Sequence, residues 1–402
     1  MPKLHIIAFD IPYPADYGGV IDIYHKTKAL SELGIDVTLH MFHYGRKHEK
    51  ARLKKVAKHL YYYKRKTYKN PFIGNIPYIV NSRSSEVLLK NLLKDNAPIL
   101  FEGLHTTFHL KHPALAKRFK VVRTHNVEHH YYKNLEQSEL RYFKKYFFRI
   151  EAEKLAKYEK VLKQADTVAA ISAKDTVHFL KRNENTHHIP AFHSNEDATN
   201  PGKRGKFVLY HGNLAVPENY LAAMQLAKNV FRYSSLPAII AGNNPPKELI
   251  TLCDSIPNVE IQTNLNTNSI HKLIVQAHIN VLFTNQSTGI KLKLLNALYR
   301  GKFAVVNSLM VKGTNLEGLC HVKDDFKEIL SQVEELSLVN YSQDDFEKRK
   351  DYLNQHFSNR SSAEQLISII DFKESKELIK VRKSGVLNSL SHISSILSYF
   401  AM

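Results

Sequence analysis

Short apolar runs alternate with helix-spaced segments along most of this chain, and that alternation restricts its fold more than any other feature. The first set comprises "LHIIAF" (4–9), "IDVTLHMF" (35–42), "PILFEG" (98–103), "KVVRT" (120–124) and "TVAAI" (167–171). The second comprises "FVLYHG" (207–212), "PAIIAG" (237–242), "VEIQ" (259–262), "INVLF" (279–283) and "FAVV" (303–306). Runs this short and apolar, separated by helices, are strands of parallel sheets covered on both faces, because the crossovers place helices on each side. Between the two sets lies "NEDATNPGKRGK" (195–206), polar and aperiodic, with Pro201, Gly202 and Gly205, which reads as a linker. The expectation is an α/β protein of two Rossmann-like parallel-sheet domains facing a central cleft. Their expected bounds are 1–200 and 201–370, followed by a helical tail, 371–402.

Local signals agree with this plan. "VIDIYHKTKALSELG" places apolar residues at 20, 23, 24, 30 and 33, closed by Gly34 as a helix C-cap. Ser172, with Asp175 three residues on, opens another helix as an N-cap. In the tail, Val386, Leu387, Leu390, Ile393, Leu397 and Phe400 share one helical face, which packs on a lobe or lies on a membrane or partner.

At 402 residues the chain is long enough for two cores. Its two cysteines, Cys253 and Cys320, give neither a disulfide framework nor metal-ligand spacing, as expected of a reducing cytosol. No apolar run approaches the roughly 18 residues of a membrane span, and the N-terminal run is too short for a signal peptide. The expected location is cytoplasmic.

The net charge of +19 is unevenly placed. Residues 1–206 hold 37 Lys/Arg against 20 Asp/Glu, and the remainder 20 against 18. Residues 44–70 alone carry eleven basic side chains, one acid and five tyrosines, among them Lys54, Lys55, Lys58, Lys64 and Arg65. This suits an anionic acceptor or the inner leaflet of a membrane; a solvated surface helix and loop is the plain alternative.

Three segments carry candidate chemistry. Gly18–Gly19, between the first strand and its helix, lets backbone N–H groups approach a phosphate, although the GxGxxG dinucleotide fingerprint is absent. "RTHNVEHHYY" (123–132) follows a strand, where parallel sheets present their ligands; His125 heads it. Zinc at His129–His130 would need a third ligand from elsewhere. "TNQSTGIKLKLLNALYRGKFAVV" (284–306) is a strand–loop–helix anion cradle with Lys291 and Lys293 beside it.

Together with "HGNLAVPEN" (211–219) and "IIAGNNP" (239–245), these segments resemble, in order and spacing, a GT-B glycosyltransferase of the family 4 type, bacterial mannosyltransferase-like branch. The resemblance spans about residues 3–360. It implies retaining, metal-independent transfer of a hexose from a nucleotide sugar to a glycan or lipid-linked acceptor bound by the basic N-terminal lobe. It places Gly18 and Gly19 over the diphosphate, His125 near the donor sugar, and Lys293, with Lys291, on the leaving diphosphate. Gly212, Gly242, Asn243 and Gly289 border the donor. Where the family usually has a glutamate pair, this chain has Thr288 and Asn296, which can hydrogen-bond hydroxyls but cannot act as carboxylates. A sugar-nucleotide-binding protein without transfer activity is therefore the alternative. Nucleic-acid binding through 44–70 is a further one, disfavoured by the paired phosphate loops.

Overall fold

The computed structural model describes residues 1–45, 50–139, 141–285 and 291–372. It contains two all-parallel sheets. The first has β1 (Lys3–Ala8), β2 (Asp36–His43), β3 (His59–Lys64), β4 (Ile99–Glu102), β5 (Lys120–Thr124), β6 (Thr167–Ala170) and β7 (Thr186–His188), in the order 3-2-1-4-5-6-7. The second has β8 (Val208–His211), β9 (Ala238–Gly242), β10 (Val259–Thr263), β11 (Ile279–Leu282), β12 (Phe303–Val306) and β13 (His321–Val322), in the order 10-9-8-11-12-13.

Strand order reverses direction between β1 and β4 in one sheet and between β8 and β11 in the other. At such switch points the crossover helices leave to opposite faces, opening a crevice at the carboxyl ends of the strands. Register fixes what lies there. Phe101 pairs with Ile7 and Glu102 with Arg123, so Glu102 and the residues after β1 and β5 share one edge. The strands themselves are buried aliphatic runs, such as Ile6, Leu39, Leu100 and Val121 in the first lobe and Leu209, Ile240, Val281 and Val305 in the second.

All ten expected strands are present. The sequence reading passed over three: β7 and β13 are only three and two residues long, and β3 lies inside the basic run. In place of a fully solvated helix and loop, residues 59–64 form an edge strand. Tyr63 is buried there and shares hydrogen bonds with His40 and Asn91, and Tyr61 stacks on His40 at 5.1 Å. Lys54, Lys55, Lys58 and Lys64 are exposed. Arg65 is only half-exposed: its Nε donates to Ser82 Oγ at 2.8 Å and its guanidinium stacks on Tyr44 and Tyr78.

Residues 195–206 have no regular structure and join the sheets. The chain crosses back before residue 370, however. Helix Asn359–Ser368 packs on helix Gly18–Glu32, and Ala363, Leu366, Ile370 and Phe372 complete the first lobe's core. The expected tail, 371–402, lies outside the described residues beyond Phe372. Among the described residues no helix is long and apolar enough to cross a membrane.

Candidate active-site cleft

On the first lobe the cleft edge rests on a buried charge network. Asp22 and Lys26 lie one turn apart on helix Gly18–Glu32, on the face turned to the sheet, and both are fully buried. Lys26 Nζ bridges Asp22 Oδ2 at 2.8 Å and Glu102 Oε1 at 2.8 Å. Arg123 pairs with the other Asp22 oxygen at 3.0 Å and donates to the carbonyls of Ile189 and Pro190 at 2.6 and 3.0 Å. The Phe192 backbone N–H donates to Asp22 as well. Burial alone would raise the Asp22 carboxyl, but Arg123 and Lys26 outweigh it and hold the group well below the usual carboxylate range.

His125, just past β5, is joined to this network. Its Nε2 lies 2.9 Å from Glu102 Oε2, while Nδ1 is 3.9 Å from Asp22 and has no hydrogen bond. The Glu102 contact at Nε2 fixes the orientation of the ring. Phe9 meets the ring edge-on at 5.4 Å. That phenyl explains Gly19: a Cβ there would come within 2.5 Å of Phe9 Cζ, whereas Gly18 faces open space. Glu128, three residues after His125, is buried; burial pushes its carboxyl up to about 8 against the opposing pull of Arg83.

The second lobe presents an edge of different character. Lys291 occupies the N-cap of helix Leu292–Arg300 and Lys293 its second residue, so only Lys293 is inside the helix. Lys293 Nζ donates to Asn219 Oδ1 at 3.1 Å and sits 5.3 Å over the Tyr210 ring. Among the described residues it forms no ion pair. Burial pushes its ammonium down to about 8, with Glu218 opposing and Lys291 adding. Lys291 is lowered in the same way, by burial first. Two cations at a helix N-terminus add charge where the backbone dipole is already positive. Thr284 Oγ1 donates to Glu218, and His211 is buried with no partner for Nε2 among the described residues, held down to about 3 by burial and then Lys293. Cations, an orphaned ring nitrogen and a helix N-terminus converge at the β8–β11 switch point.

The glycines around this point have separable roles. A Cβ on Gly242 would fall 1.9 Å from the Gly212 carbonyl oxygen, so Gly242 lets the chain leaving β8 pass close to the end of β9. Gly212 would press only on Asn219, at 3.3 Å. Asn243 is exposed on the following loop. Asn296 is turned to the linker: its Oδ1 accepts from Asn195 at 2.9 Å, and Asn195 in turn accepts from Arg300. Thr288 and Gly289 lie outside the described residues. The lobes meet around a cavity of about 50 Å³ lined by Ser172, His188, Pro190 and Ala191 from one side and Lys291, Thr314 and Leu316 from the other. Glu218 also contributes, after burial and Glu128, to the raised Tyr131 hydroxyl across the cleft. A larger cavity, about 370 Å³, lies behind the hinge near Lys28 and Asn359, away from both edges.

Asp22, Glu102 and His125 are spaced like metal ligands. Lys26 and Arg123 already neutralise both carboxylates at contact distance, so a divalent cation would be placed against two buried positive charges, and the set does not fit one. Asp22, Lys26, Glu102, Glu218 and Asn219 were not singled out from sequence. The i,i+4 pairing of Asp22 with Lys26 was readable there, but its burial was not.

No family model matches the chain. It is similar to an uncharacterized 44.6 kDa protein in the cps region of Klebsiella pneumoniae, 29% identical over 338 residues, covering 78% of this chain and 85% of that one. S. aureus TarM, solved with UDP and alpha-GlcNAc-glycerol, superposes with a TM-score of 0.65 at 10% identity, covering 92% and 99% of the two chains. Sucrose-phosphate synthase from Thermosynechococcus elongatus gives 0.63 at 14% identity, covering 92% and 98%. A glycosyltransferase from Rickettsia africae gives 0.62 at 12%, covering 93% and 98%. The fold is GT-B. Between the lobes, Lys291 is brought to one small cavity with Ser172 and Ala191.

Proposed function

We propose that this chain is a retaining glycosyltransferase that moves a hexose, mannose being the first candidate, from a nucleotide-sugar donor to a glycan or lipid-linked acceptor in polysaccharide assembly. The observation that carries the reading is the Lys291–Lys293 pair, two half-buried lysines at a helix N-terminus on the β8–β11 switch point, whose ammonium groups are depressed by partial burial. Glu218 is the carboxylate beside the pair, and two cations at a positive helix end still attract a multiply charged anion such as a nucleoside diphosphate. The same cations stabilise charge that develops on the diphosphate as the glycosidic bond breaks, so the transfer assigns no role to a metal. Gly18, open on its outer face, leaves room for phosphate on the opposite lobe. His125, held by Glu102, shapes the wall beside the sugar and stabilises charge there. The GT-B fold and the cps-region relative support the reading.

The acceptor belongs to the first lobe. Phe143 is 86% exposed, Tyr142 78% and Ile73 70%; Phe72 stacks on Tyr146, and Lys144 and Lys145 stand beside them. This aromatic and basic surface suits a lipid carrier at an anionic leaflet better than the lysines of 54–64 alone. Co-sedimentation with anionic vesicles that falls in Phe143→Ser supports it; sedimentation independent of lipid charge and of Phe143 removes it.

Thermal shifts with UDP, GDP, ADP and dTDP test the donor site. At least one is expected to raise the melting temperature, and Lys293→Ala to abolish most of that shift. No stabilisation by any of the four would defeat the proposal. One observation favours a second reading, binding without transfer: the Asn296 oxygen is engaged by Asn195, and no carboxylate stands at 288 or 296. Sugar transfer or donor hydrolysis that is lost in His125→Ala separates the two.

A further inference from the structure

On the first lobe, apart from the Asp22–Glu102–His125 network, helices Glu128–Ser138 and Ala173–Leu180 converge on Glu159, at the start of a short 3-10 turn. His129 Nδ1 lies 3.2 Å from Glu159 Oε2, and His178 Nε2 lies 2.9 Å from Glu159 Oε1. The three ligand atoms all lie within 4.8 Å of one another. Glu159 is fully buried, and its Oε2 and the facing His129 Nδ1 are both buried without a hydrogen bond of acceptable geometry. At 3.2 Å a proton on Nδ1 serves this contact in the unloaded site, and a cation bound there would take that proton's place.

We propose that His129, Glu159 and His178 form a binding site for a divalent cation of zinc's class, a structural site separate from sugar transfer. Two imidazoles and one carboxylate form a His₂Glu set suited to that metal. Ligands bonded at about 2.0–2.1 Å to a tetrahedral ion stand roughly 3.3 Å apart, close to the carboxylate–imidazole separations here. Rotation of the two part-exposed imidazoles closes the remaining gap. Arg182 Nε donates to Glu159 Oε1 at 2.8 Å and holds the carboxylate with Oε2 directed at His129, the outer-shell support that metal carboxylates usually have. His130, whose ring centroid is 4.2 Å from that of His129, stands at the solvent side as a further donor or leaves that position to water.

The site has a mechanical consequence. It ties together the helix that begins three residues after His125 and the helix whose Lys174 abuts Gly313 of the other lobe. A bound ion would brace the first lobe's cleft edge without touching the donor.

The test uses the full chain, stripped of metal and titrated with Zn²⁺ by calorimetry, and with Co²⁺ followed by its visible spectrum. We expect one high-affinity site, a tetrahedral Co²⁺ band and a rise in melting temperature. His178→Ala and His129→Ala should each weaken that site at least tenfold, while His187→Ala, an exposed histidine elsewhere, should leave it intact. Equal binding by all four proteins, or none by the wild type, overturns the proposal. Zinc-edge anomalous diffraction from zinc-soaked wild-type crystals decides the location without any variant: a peak between His129 and Glu159 sustains the site, and its absence there removes it.

Discussion

The two edges of the cleft solve the problem of charge near a ligand in opposite ways. On the first lobe Asp22, Lys26, Glu102, Arg123 and His125 are buried and neutralise one another, so the edge is complete before anything binds. On the second lobe Lys291 and Lys293 are half-buried at a helix N-terminus, and Lys293 is held by a neutral amide and a ring face. The first arrangement stabilises a shape; the second holds positive charge at a cost that a ligand can relieve. Stability and ligand affinity should therefore divide between the lobes.

Removing a charge from each side is the largest test of that division. Lys26→Met removes the cation shared by two buried carboxylates, leaving Asp22 to Arg123 and Glu102 to His125, and should cost about 3–5 kcal/mol in chemical denaturation. Lys293→Met should leave stability within about 0.5 kcal/mol of wild type, or raise it, since it removes a depressed, half-buried ammonium. If both variants are equally destabilised, the comparison fails. Next in size is affinity: Lys293→Met should weaken nucleoside diphosphate binding about 10–100-fold by calorimetry, the worth of one charged hydrogen bond.

Protonation supplies a smaller, more specific signal. The folded Lys293 ammonium titrates at about 8 against an ordinary 10.5, so between those values the unfolded chain binds more protons and stability rises with pH. The contribution is present above 10.5 and lost as pH falls through 8. A bound diphosphate should restore the ammonium's affinity for its proton. Calorimetry in buffers of different ionisation enthalpy should show uptake approaching one proton at about pH 9 and almost none at about pH 6.5. Uptake that persists unchanged in Lys293→Met would assign the proton elsewhere. The smallest effect belongs to Gly18→Ala, which meets nothing within 4 Å and should leave the melting temperature of the unliganded protein unchanged. A diminished nucleotide shift in that variant would bring the first lobe's loop into the donor site.

Strands with aliphatic runs were legible in sequence because burial on both faces removes polar residues from them. β3 was not, since its tyrosines sit among lysines and only its contacts with His40 and Asn91 reveal an inward face. Lys291 and Lys293 stood out because the dipole argument is local. Asp22 and Lys26 did not: on a helix whose apolar positions are 20, 23, 24, 30 and 33, they look like solvent-facing residues until the sheet and Glu102 close over them. Asn296 could be aligned from sequence, but its turn toward Asn195 depends on where the linker runs.

The return of helix Asn359–Ser368 to the first lobe means that the polypeptide passes between the lobes twice. Both crossings are fastened to each other at His193, whose N–H donates to Asn359 and whose Nε2 lies 2.8 Å from the Phe357 carbonyl. Two covalent tethers pinned at one point form a pivot: the crossings cannot part from each other there without breaking the His193 contacts, so the lobes are anchored locally by two stretches of chain instead of one.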